Sequence, residues 1–447
     1  MRCIEGFFPS FRSDTCNSDF DLIYSRMLNR SSMKVVRMLF FDLVSPEEAI
    51  KRIDGITRPV DKEPAGLQEV IGRISAEDVI SPVDLPPFDR STMDGYAVVA
   101  GDTFGASPGL PAYLRLIGEV KMGEEPEITL SKGETVRIWT GGMLPKGADA
   151  VVMLEHTDLV GGDMVEVIRP VSPWENVIRR GDDVRKGGIL LEKGRKVRPQ
   201  DIAALAGAGI TSISVYRRPL VAIIPTGDEI VPPEAELRPG RIRDMNSYSL
   251  AALCRLEGAE PVNFPIIGDL FHELKDALQK ALRRSDMVLI SGGSSVGARD
   301  VTLDVIDSLP DSMLHVHGIS IRPGKPVIIA TVGGKPVFGL PGNPVSAIIC
   351  FVVFVRRAIA RLSGRGEEMA DKFGRIEAIL KSNCPADPGR ENYIPAQLEE
   401  EEGRVLALPL LGPSGIISIL TRADGLIRIP AGVEGLEPGE KVEVIRI

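Results

Sequence analysis

Four acidic residues follow strand-like runs or a glycine-rich turn in the third quarter of the chain; they are Asp228, Glu229, Asp269 and Asp300. The carboxyl ends of parallel strands meet at one edge of a sheet, so these carboxylates can converge although they are far apart in sequence. Mg²⁺ commonly takes one or two carboxylates and bridges phosphate oxygens. The alternative is that each acid only stabilises the start of the helix that follows it.

Two glycine-rich turns lie in the same part of the chain. Ser291–Gly297 follows the apolar run 286–290, and Pro341–Pro344 follows the run 336–340. Glycine lets the backbone approach a ligand closely and aim N–H groups at an anion. We therefore predict a phosphate site at the carboxyl edge of a parallel sheet. Its candidate binding residues are Ser291, Gly292, Gly293, Ser294, Ser295, Gly297, Pro341, Gly342, Asn343 and Pro344.

The proline-stiffened turn Arg322-Pro-Gly-Lys325 presents two cations that suit a phosphate or another oxyanion. A solvated turn without a ligand is the alternative. His315 and His317 alternate along one extended segment. They are interpreted as structural because no third nitrogen or thiol donor accompanies them.

The first half of the chain contains polar loops that are rich in proline, glycine and acids. They hold the candidates Asp89, Asp94, Thr140 and Asp183. Their composition alone does not distinguish a functional loop from a rigid structural turn.

Alternating strand and helix patterns predict the elements that position these residues. From Pro219 onward this βαβ pattern predicts a doubly wound, mostly parallel α/β domain. Asn246 or Ser247 is expected to cap a helix that ends near Leu256, and a long helix is expected over 344–362. The division predicted is an N-terminal extension (1–44), a linker domain (45–83 plus 174–217), a β-rich insert (84–173), the α/β domain (218–365), and a small C-terminal β-barrel or sandwich (366–447).

Composition narrows the class of protein. The 447 residues carry a net charge of −9, which argues against binding nucleic acid. Five unclustered cysteines favour a reducing compartment, and the longest apolar run is too short to span a bilayer, so the cytoplasm is expected and a membrane partner is not. Residues 1–32 lack periodicity, which indicates either a disordered arm or a true start at Met33 or Met38.

Taken together, these segments resemble the molybdopterin molybdenumtransferase family, which includes MoeA and the gephyrin E domain. The matches occur in family order. They are Pro87–Ala97, Thr140–Gly142, Arg180–Asp183, Pro225–Glu229, Ser291–Gly297 with Asp300, Pro323–Pro326 and Gly339–Ala347. The resemblance implies an L-shaped homodimer of four-domain subunits, whose active sites lie between the α/β domain of one subunit and the insert of the other. A molybdopterin adenylyltransferase is the implied pathway partner.

The resemblance also implies an activity and residue roles. The family inserts molybdate into adenylyl-molybdopterin with Mg²⁺-dependent release of AMP. By motif position, Glu229, Asp269 and Asp300 would handle metal and nucleotide, the two glycine-rich turns would hold phosphate and shape the pocket, and Ser414 would approach the pterin site. Asp89, Asp94, Thr140 and Asp183 would close the pocket. Arg322 stands where the family commonly has lysine, and Gly318 where it has a second lysine, so molybdate and tungstate both stay open.

Two rival functions differ in the domains that they need. A molybdopterin adenylyltransferase shares the α/β domain and its Ser-Gly-Gly turn, but the insert and the C-terminal domain argue against it. A gephyrin-like, non-catalytic binding scaffold is the second rival, and the retained acidic and glycine residues argue against it.

Overall fold

The computed structural model describes residues 43–292, 301–366 and 374–447. Its first helix is α1 (Pro46–Ile56), which the sequence predicts. Ser45 caps this helix, because its Oγ accepts a hydrogen bond from the Glu48 amide at 3.2 Å. Ala49 and Ile53 of α1 are fully buried against the α/β sheet described below.

Two separate stretches of the chain pair to form a small linker unit. Its elements are β1 (Lys62–Gly66), β2 (Val79–Ile80), β11 (Ile189–Leu191), α2 (Pro199–Gly207) and β12 (Ser212–Tyr216). β1 pairs antiparallel with β12, and β2 pairs antiparallel with β11. Residues from both stretches share one apolar core, in which Val70, Leu191 and Val215 are fully or almost fully buried.

The β-rich region predicted between the two stretches is a sheet with an apolar core on each face. Its strands are β4 (Gly95–Val98), β5 (Ala112–Glu119), β6 (Glu134–Ile138), β7 (Ala150–Met153), β8 (Thr157–Val160) and β9 (Met164–Val167). The strand order is β7-β4-β6-β5-β9-β8. A short ladder of β3 (Arg90–Ser91) and β10 (Val177–Ile178) joins the loops at one end. Short 3₁₀ helices span Ala100–Thr103 and Leu154–His156.

The α/β unit has the predicted architecture. Its six-stranded sheet contains β13 (Leu220–Pro225), β16 (Glu260–Asn263), β17 (Met287–Ser291), β18 (Ser312–His317), β20 (Ile328–Val332) and β21 (Lys335–Leu340). The order is β16-β13-β17-β21-β20-β18, and β20 runs antiparallel to both its neighbours. Two short ladder strands, β14 (Ile230–Val231) and β15 (Ile242–Arg243), pair beside the sheet.

Helices cover both faces of this sheet, as a doubly wound fold requires. They are α3 (Asn246–Leu256), α4 (Phe271–Arg284), α5 (Val301–Asp307), α6 (Pro344–Cys350) and α7 (Arg356–Leu362). Successive side chains of a strand point to opposite faces. Ile223 accordingly packs in the core with α3, α6 and α7, whereas Ile224 packs in the core with α4 and α5.

The long helix predicted over 344–362 contains a π-helical segment, Phe351–Val355, between α6 and α7. Hydrophobic periodicity does not reveal such a segment here, because Phe351, Phe354 and Val355 are all fully buried. His315 Nε2 lies 2.9 Å from Thr331 Oγ1 on the adjacent strand, which gives this histidine a structural contact. No helix in the described part of the chain is long and apolar enough to cross a membrane.

The C-terminal region is a barrel, which resolves the alternative left open by the sequence. Its strands are β22 (Arg375–Leu380), β24 (Glu391–Glu401), β25 (Arg404–Pro409), β26 (Gly425–Ile429) and β28 (Lys441–Arg446). The order β24-β25-β22-β28-β26 closes because β26 also pairs with β24. Strand β19 (Ile321–Arg322) of the preceding unit extends this sheet, β23 (Cys384–Pro385) pairs with β27 (Gly435–Leu436), and a 3₁₀ helix spans Ile417–Arg422.

The sequence reading missed β24, the longest strand of this barrel. It contains Pro395 and ends in a run of glutamates, and both features are unfavourable in an isolated strand. Tertiary contacts offset the charge, since Lys381, which directly follows β22, forms ion pairs with Glu399 and with Glu401.

Candidate active site

A pocket of about 830 Å³ opens where β13, β17 and β21 end, and it is called the strand-end pocket below. A volume of about 300–1,000 Å³ is typical of small-molecule sites. Eight of the residues predicted for the site line it: Glu229, Asp269, Ser291, Gly292, Pro341, Gly342, Asn343 and Pro344. The structure therefore brings both glycine-rich turns and two of the predicted carboxylates to one cavity.

The first glycine-rich turn lies so close to the backbone at Thr226 that only a residue without a side chain fits there. Gly292 has a φ of +106°, and a Cβ atom there would lie 2.2 Å from the Thr226 carbonyl oxygen. A Cβ on Gly342 would lie 3.8 Å from the Gly292 Cα, so the two turns are also adjacent to each other. Glycine at position 292 is thus required by both conformation and space.

One side chain ties the two turns together. Asn246 Nδ2 donates to Ser291 Oγ at 2.8 Å and to the Gly342 carbonyl oxygen at 2.8 Å. Asn246 Oδ1 is buried and has no hydrogen-bond partner among the described residues. Because the Gly342 carbonyl can only accept, these contacts identify the amide nitrogen as the atom that faces the turns. The pocket wall is therefore held by a residue from α3, outside either glycine-rich motif.

The expectation that Asn246 or Ser247 caps α3 is wrong. Asn246 and Ser247 are already helical, and Met245 at the N-cap position makes no side-chain capping bond, so the Asp244 carboxylate binds the first turn in its place. Asp244 Oδ1 accepts from the Ser247 amide at 3.0 Å, and its other oxygen accepts from the Ser247 hydroxyl. An aspartate is an equally good cap, and only the turn geometry decides among adjacent candidates.

Three carboxylates from two strand ends lie close enough to influence one another. Asp228 and Glu229 follow β13, and the Asp269 amide donates to Asp228 Oδ1 at 3.1 Å. Partial burial, followed by the nearby charges of Asp228 and Glu229, raises the pKa of Asp269. Removal from water and repulsion between like charges both disfavour the ionised carboxylate. The cluster thus favours a cation or a proton.

The lining of the strand-end pocket is acidic. Glu229, Asp244 and Asp269 line it, and Arg243 is the one cation among its described lining residues. Hard carboxylate oxygens of this kind suit Mg²⁺. Within residues 43–292, 301–366 and 374–447, no three His, Cys, Asp or Glu side chains are grouped as a complete metal cage. Two protein carboxylates with substrate phosphates and waters nevertheless form a common Mg²⁺ site.

Several predicted residues lie outside the described part of the chain: Gly293, Ser294, Ser295, Gly297 and Asp300. Their roles in phosphate and metal binding stay predictions. So does the predicted metal set of Glu229, Asp269 and Asp300, of which the first two line the strand-end pocket.

The predicted C-terminal candidate reaches the edge of the strand-end pocket. Asn343 Nδ2 lies 3.3 Å from Ser414 Oγ, and the Val345 amide donates to the Ser414 carbonyl at 3.3 Å. Ser414 itself lines a neighbouring cavity of about 610 Å³ between the barrel and the α/β unit. The Asn343–Ser414 contact thus joins a residue that lines one cavity to a residue that lines the other.

The basic turn predicted for oxyanion binding, together with Pro326 directly after it, contributes residues to both cavities. Arg322 lines the neighbouring cavity and forms an ion pair with Asp387, whereas Pro326 lines the strand-end pocket. Gly324 has a φ of +107°, and a Cβ there would lie 2.5 Å from the buried Cys350 Sγ. The backbone carbonyl of Lys325 accepts hydrogen bonds from the amides of residues 319 and 327. The backbone conformation of this turn is therefore determined by its packing against Cys350 and by its backbone hydrogen bonds.

The candidates from the insert and its flank make contacts of their own. Asp94 Oδ1 accepts from the Thr140 amide and hydroxyl, both at 2.7 Å, and these bonds lower the pKa of Asp94. Asp89 Oδ1 accepts from the Arg180 amide at 2.7 Å, and the Asp183 amide donates to the Leu85 carbonyl at 3.0 Å.

None of these four candidates is among the described residues that line the strand-end pocket of their own chain. Of the four, Asp94 and Thr140 contact each other directly.

Sequence reasoning missed Asn246 and Asp244 as pocket residues. The available signal was the segment Arg243-Asp-Met-Asn-Ser247, which places polar residues at the start of a helix that follows a β-ladder. A polar helix start beside a parallel sheet is a candidate site. The segment instead suggested only a helix cap, because the partners of Asn246 lie 45 and 96 residues away in sequence.

Comparison with family models divides the chain into three matched regions. The models are described as MoeA N-terminal region (domain I and II), probable molybdopterin binding domain, and MoeA C-terminal region (domain IV). They match residues 44–209, 222–361 and 377–447.

Individual relatives match almost the whole chain. A Methanocaldococcus jannaschii protein named for molybdopterin biosynthesis is 37% identical over 432 residues, covering 95% of this chain and 98% of the relative. A Nostoc protein named molybdopterin molybdenumtransferase is 34% identical over 392 residues, covering 87% and 89%. The crystal structure of a molybdopterin biosynthesis MoeA protein from Pyrococcus horikoshii is 40% identical, with a TM-score of 0.76, covering 91% of this chain and 99% of that one.

Proposed function

The chain belongs to the molybdopterin molybdenumtransferase (MoeA) family of molybdenum cofactor biosynthesis, and from this premise we propose the reaction of its strand-end pocket. The protein inserts molybdate or tungstate into adenylyl-molybdopterin and releases AMP with the help of Mg²⁺. The observation that carries this proposal is the meeting of two glycine-rich turns and an acidic cluster in one pocket of about 830 Å³.

The glycine-rich turns hold the pyrophosphate link of the substrate in this proposal. Backbone N–H groups at close-approach positions such as Gly292 and Gly342 can donate to phosphate oxygens without adding charge. Asn246 fixes the spacing of the turns through its two hydrogen bonds. A preorganised set of donors stabilises charge that develops on the leaving phosphate.

The acidic residues would hold Mg²⁺ against the same phosphates. Glu229 and Asp269 would supply oxygen ligands, and Asp300 would complete the set proposed from the sequence. Mg²⁺ bound there would neutralise charge on the phosphate oxygens and on the departing AMP. The raised pKa of Asp269 supports this role, since a cation relieves the crowding of Asp228, Glu229 and Asp269.

The attacking group is proposed to be water or an oxyanion oxygen rather than a protein nucleophile. Burial raises the pKa of the Cys384 thiol to about 11 and that of the Cys254 thiol to about 12. Both therefore stay protonated at neutral pH. In the proposed step the attacking oxygen forms a bond to the molybdopterin phosphorus, and the bond from that phosphorus to the bridging oxygen breaks. AMP leaves with the bridging oxygen, and a proton from an attacking water passes to the solvent.

A homodimer with shared sites completes the proposal. Asp89, Asp94, Thr140 and Asp183 would close the pocket of a second copy, which is consistent with their distance from the pocket of their own chain. A molybdopterin adenylyltransferase would supply the adenylated substrate.

The test is to incubate the purified protein with adenylyl-molybdopterin, Mg²⁺ and equal concentrations of molybdate and tungstate, and to follow AMP and bound metal. We expect AMP release that requires Mg²⁺ and is lost with EDTA. The ratio of bound molybdenum to tungsten gives the preferred oxyanion.

Two further assays test the rivals. Accumulation of adenylyl-molybdopterin from ATP and molybdopterin would favour an adenylyltransferase. A protein that binds neither adenylyl-molybdopterin nor Mg²⁺ would instead fit the non-catalytic scaffold.

A further inference from the structure

A second concavity, called the basic pocket below, lies at the opposite end of α3 from the strand-end pocket. Asn246 at the start of α3 lines the strand-end pocket, and Arg255 near its end lines the basic pocket. An 11-residue helix is about 16 Å long. The basic pocket also contacts the residues just before β13, so it lies at the amino edge of the parallel sheet.

The basic pocket is cationic on a chain whose net charge is −9. Six cationic side chains line it, and the one carboxylate among its described lining residues is that of Glu257. The cations are Arg73, Lys196, Arg217, Arg218, Arg255 and Arg365. A concave surface of one charge sign focuses its potential and raises the local concentration of ions of the opposite sign.

Three of these cations have structural partners that account for their presence. Arg217 forms two hydrogen bonds of 2.6 Å with Asp286, and Arg73 pairs with Glu63. Arg365 lies 3.7 Å from Glu257 and donates to its backbone carbonyl at 3.4 Å, near the carboxyl end of α3. Of these contacts, the one between Arg217 and Asp286 joins the linker unit to the α/β unit.

Structural partners of this kind do not explain the other three cations of the basic pocket. Lys196, Arg218 and Arg255 are exposed, and their side chains form no ion pair with any residue in the described part of the chain. They belong to three different segments of the linker and α/β units, so no single helix face or loop explains their convergence.

Glu257 does not balance the cations around it. Its carboxylate already lies 2.8 Å from Arg356 and 3.7 Å from Arg365, and the Arg365 side chain is only 5% exposed. Burial lowers the pKa of Arg365, Glu257 opposes this, and the charge of Arg356 lowers it further. An anion in the pocket would offset this excess of positive charge.

We propose that the basic pocket binds a small inorganic oxyanion of the phosphate type, namely phosphate or pyrophosphate. Guanidinium and ammonium groups donate charge-assisted hydrogen bonds to tetrahedral oxyanions. The pocket measures about 160 Å³, well below the ~300–1,000 Å³ of sites for larger ligands. It therefore takes an oxyanion with some of its water rather than a whole nucleotide.

The test is calorimetric titration of the full-length protein with pyrophosphate, and separately with inorganic phosphate, in a buffer free of other oxyanions. Two pocket variants are used: the double variant Arg218→Gln with Arg255→Gln, and the milder single variant Lys196→Gln. The matched control is Lys132→Gln with Lys280→Gln, which removes two exposed charges elsewhere on the protein. Thermal unfolding of each variant checks that it is folded.

We expect a binding event in the wild type that weakens by about tenfold or more in the double variant and that persists in the control. Its affinity should fall as salt rises. Binding of pyrophosphate in the strand-end pocket stays present in every variant and is thereby distinguished. The proposal is overturned if the wild type shows no such event, or if pocket and control variants bind equally.

Discussion

The amide group of Asn246 donates a hydrogen bond of 2.8 Å to the hydroxyl oxygen of Ser291 and so ties the start of α3 to the first glycine-rich turn. The same nitrogen donates to the Gly342 carbonyl in the second turn. The spacing of two phosphate-binding turns therefore depends on a side chain that belongs to neither. The Asn246 Oδ1 atom, for which the described part of the chain offers no hydrogen-bond partner, is buried at the same place.

Replacement of Asn246 by alanine should reduce the rate of AMP release by about tenfold or more, because loss of preorganised donors at a reacting phosphate has effects of this order. Loss of two buried hydrogen bonds should also lower the free energy of unfolding by about 1–3 kcal/mol. Steady-state kinetics and chemical denaturation measure the two effects. Asn263→Ala, at an exposed strand end, is the control. An unchanged kcat and KM in a less stable Asn246→Ala protein would reduce Asn246 to a structural role.

Asp269→Asn should raise the melting temperature when no divalent cation is present. The folded-state pKa of Asp269 is raised, so its ionised form destabilises the fold. This destabilisation is complete above the folded pKa and disappears as pH falls below the unfolded value of about 3.9. The difference in melting temperature between variant and wild type should therefore be present at pH 7 and vanish in acid.

The same variant should also gain less thermal stability from added Mg²⁺, because it has lost one proposed ligand. Differential scanning calorimetry with and without Mg²⁺ gives both comparisons. Asp276→Asn on the exposed side of α4 removes the same charge away from the cluster and serves as the control. Equal stabilisation of the wild type, Asp269→Asn and Asp276→Asn by Mg²⁺ would show that Asp269 is not a metal ligand.

Gly292→Ala should destabilise the protein by about 1–3 kcal/mol or more, as expected for a non-glycine residue held in a strained backbone conformation. Position 292 has a φ of +106°, and the new Cβ would meet the Thr226 carbonyl at 2.2 Å. The rate of AMP release should also fall in Gly292→Ala. Gly207→Ala is the matched control: it lies within α2, where a Cβ meets no atom within 4 Å, and should be neutral or stabilising. Equal stability of Gly292→Ala and Gly207→Ala would contradict the conclusion that position 292 requires glycine.

Two variants that are inactive alone should recover activity when mixed, if the active site is shared between copies. Thr140→Val removes the hydroxyl bond to Asp94, and Glu229→Gln removes a pocket carboxylate. After exchange of subunits at equal concentration, half the dimers are mixed and each has one intact site, so about a quarter of the wild-type activity is expected. The recovered activity is measured in mixtures of the two variants with and without a mild dissociation step. No recovery after demonstrated exchange would mean that both groups serve the site of their own chain, and it would contradict a shared active site.

Local pattern was sufficient for the elements whose stabilising contacts are close in sequence. The Ser45 cap and the acids in the first turn of α1 act within one helical turn, and the structure has that helix. The strand β13 and the turn after it follow from five apolar residues and a Pro-Thr-Gly sequence. The strand β24 was missed because Pro395 and the glutamates are accommodated only by neighbouring strands of the barrel.

The sequence by itself determined the family, the order of its motifs, and the residue types that a phosphate and metal site needs. Only the tertiary structure decided that Asn246 joins two turns, that Arg322 faces a different cavity from Asp269, and that cations from three segments converge beyond the far end of α3. Each of these relationships links residues more than twenty positions apart. Such distances depend on how sheets and helices pack, and periodicity along the chain carries no information about them.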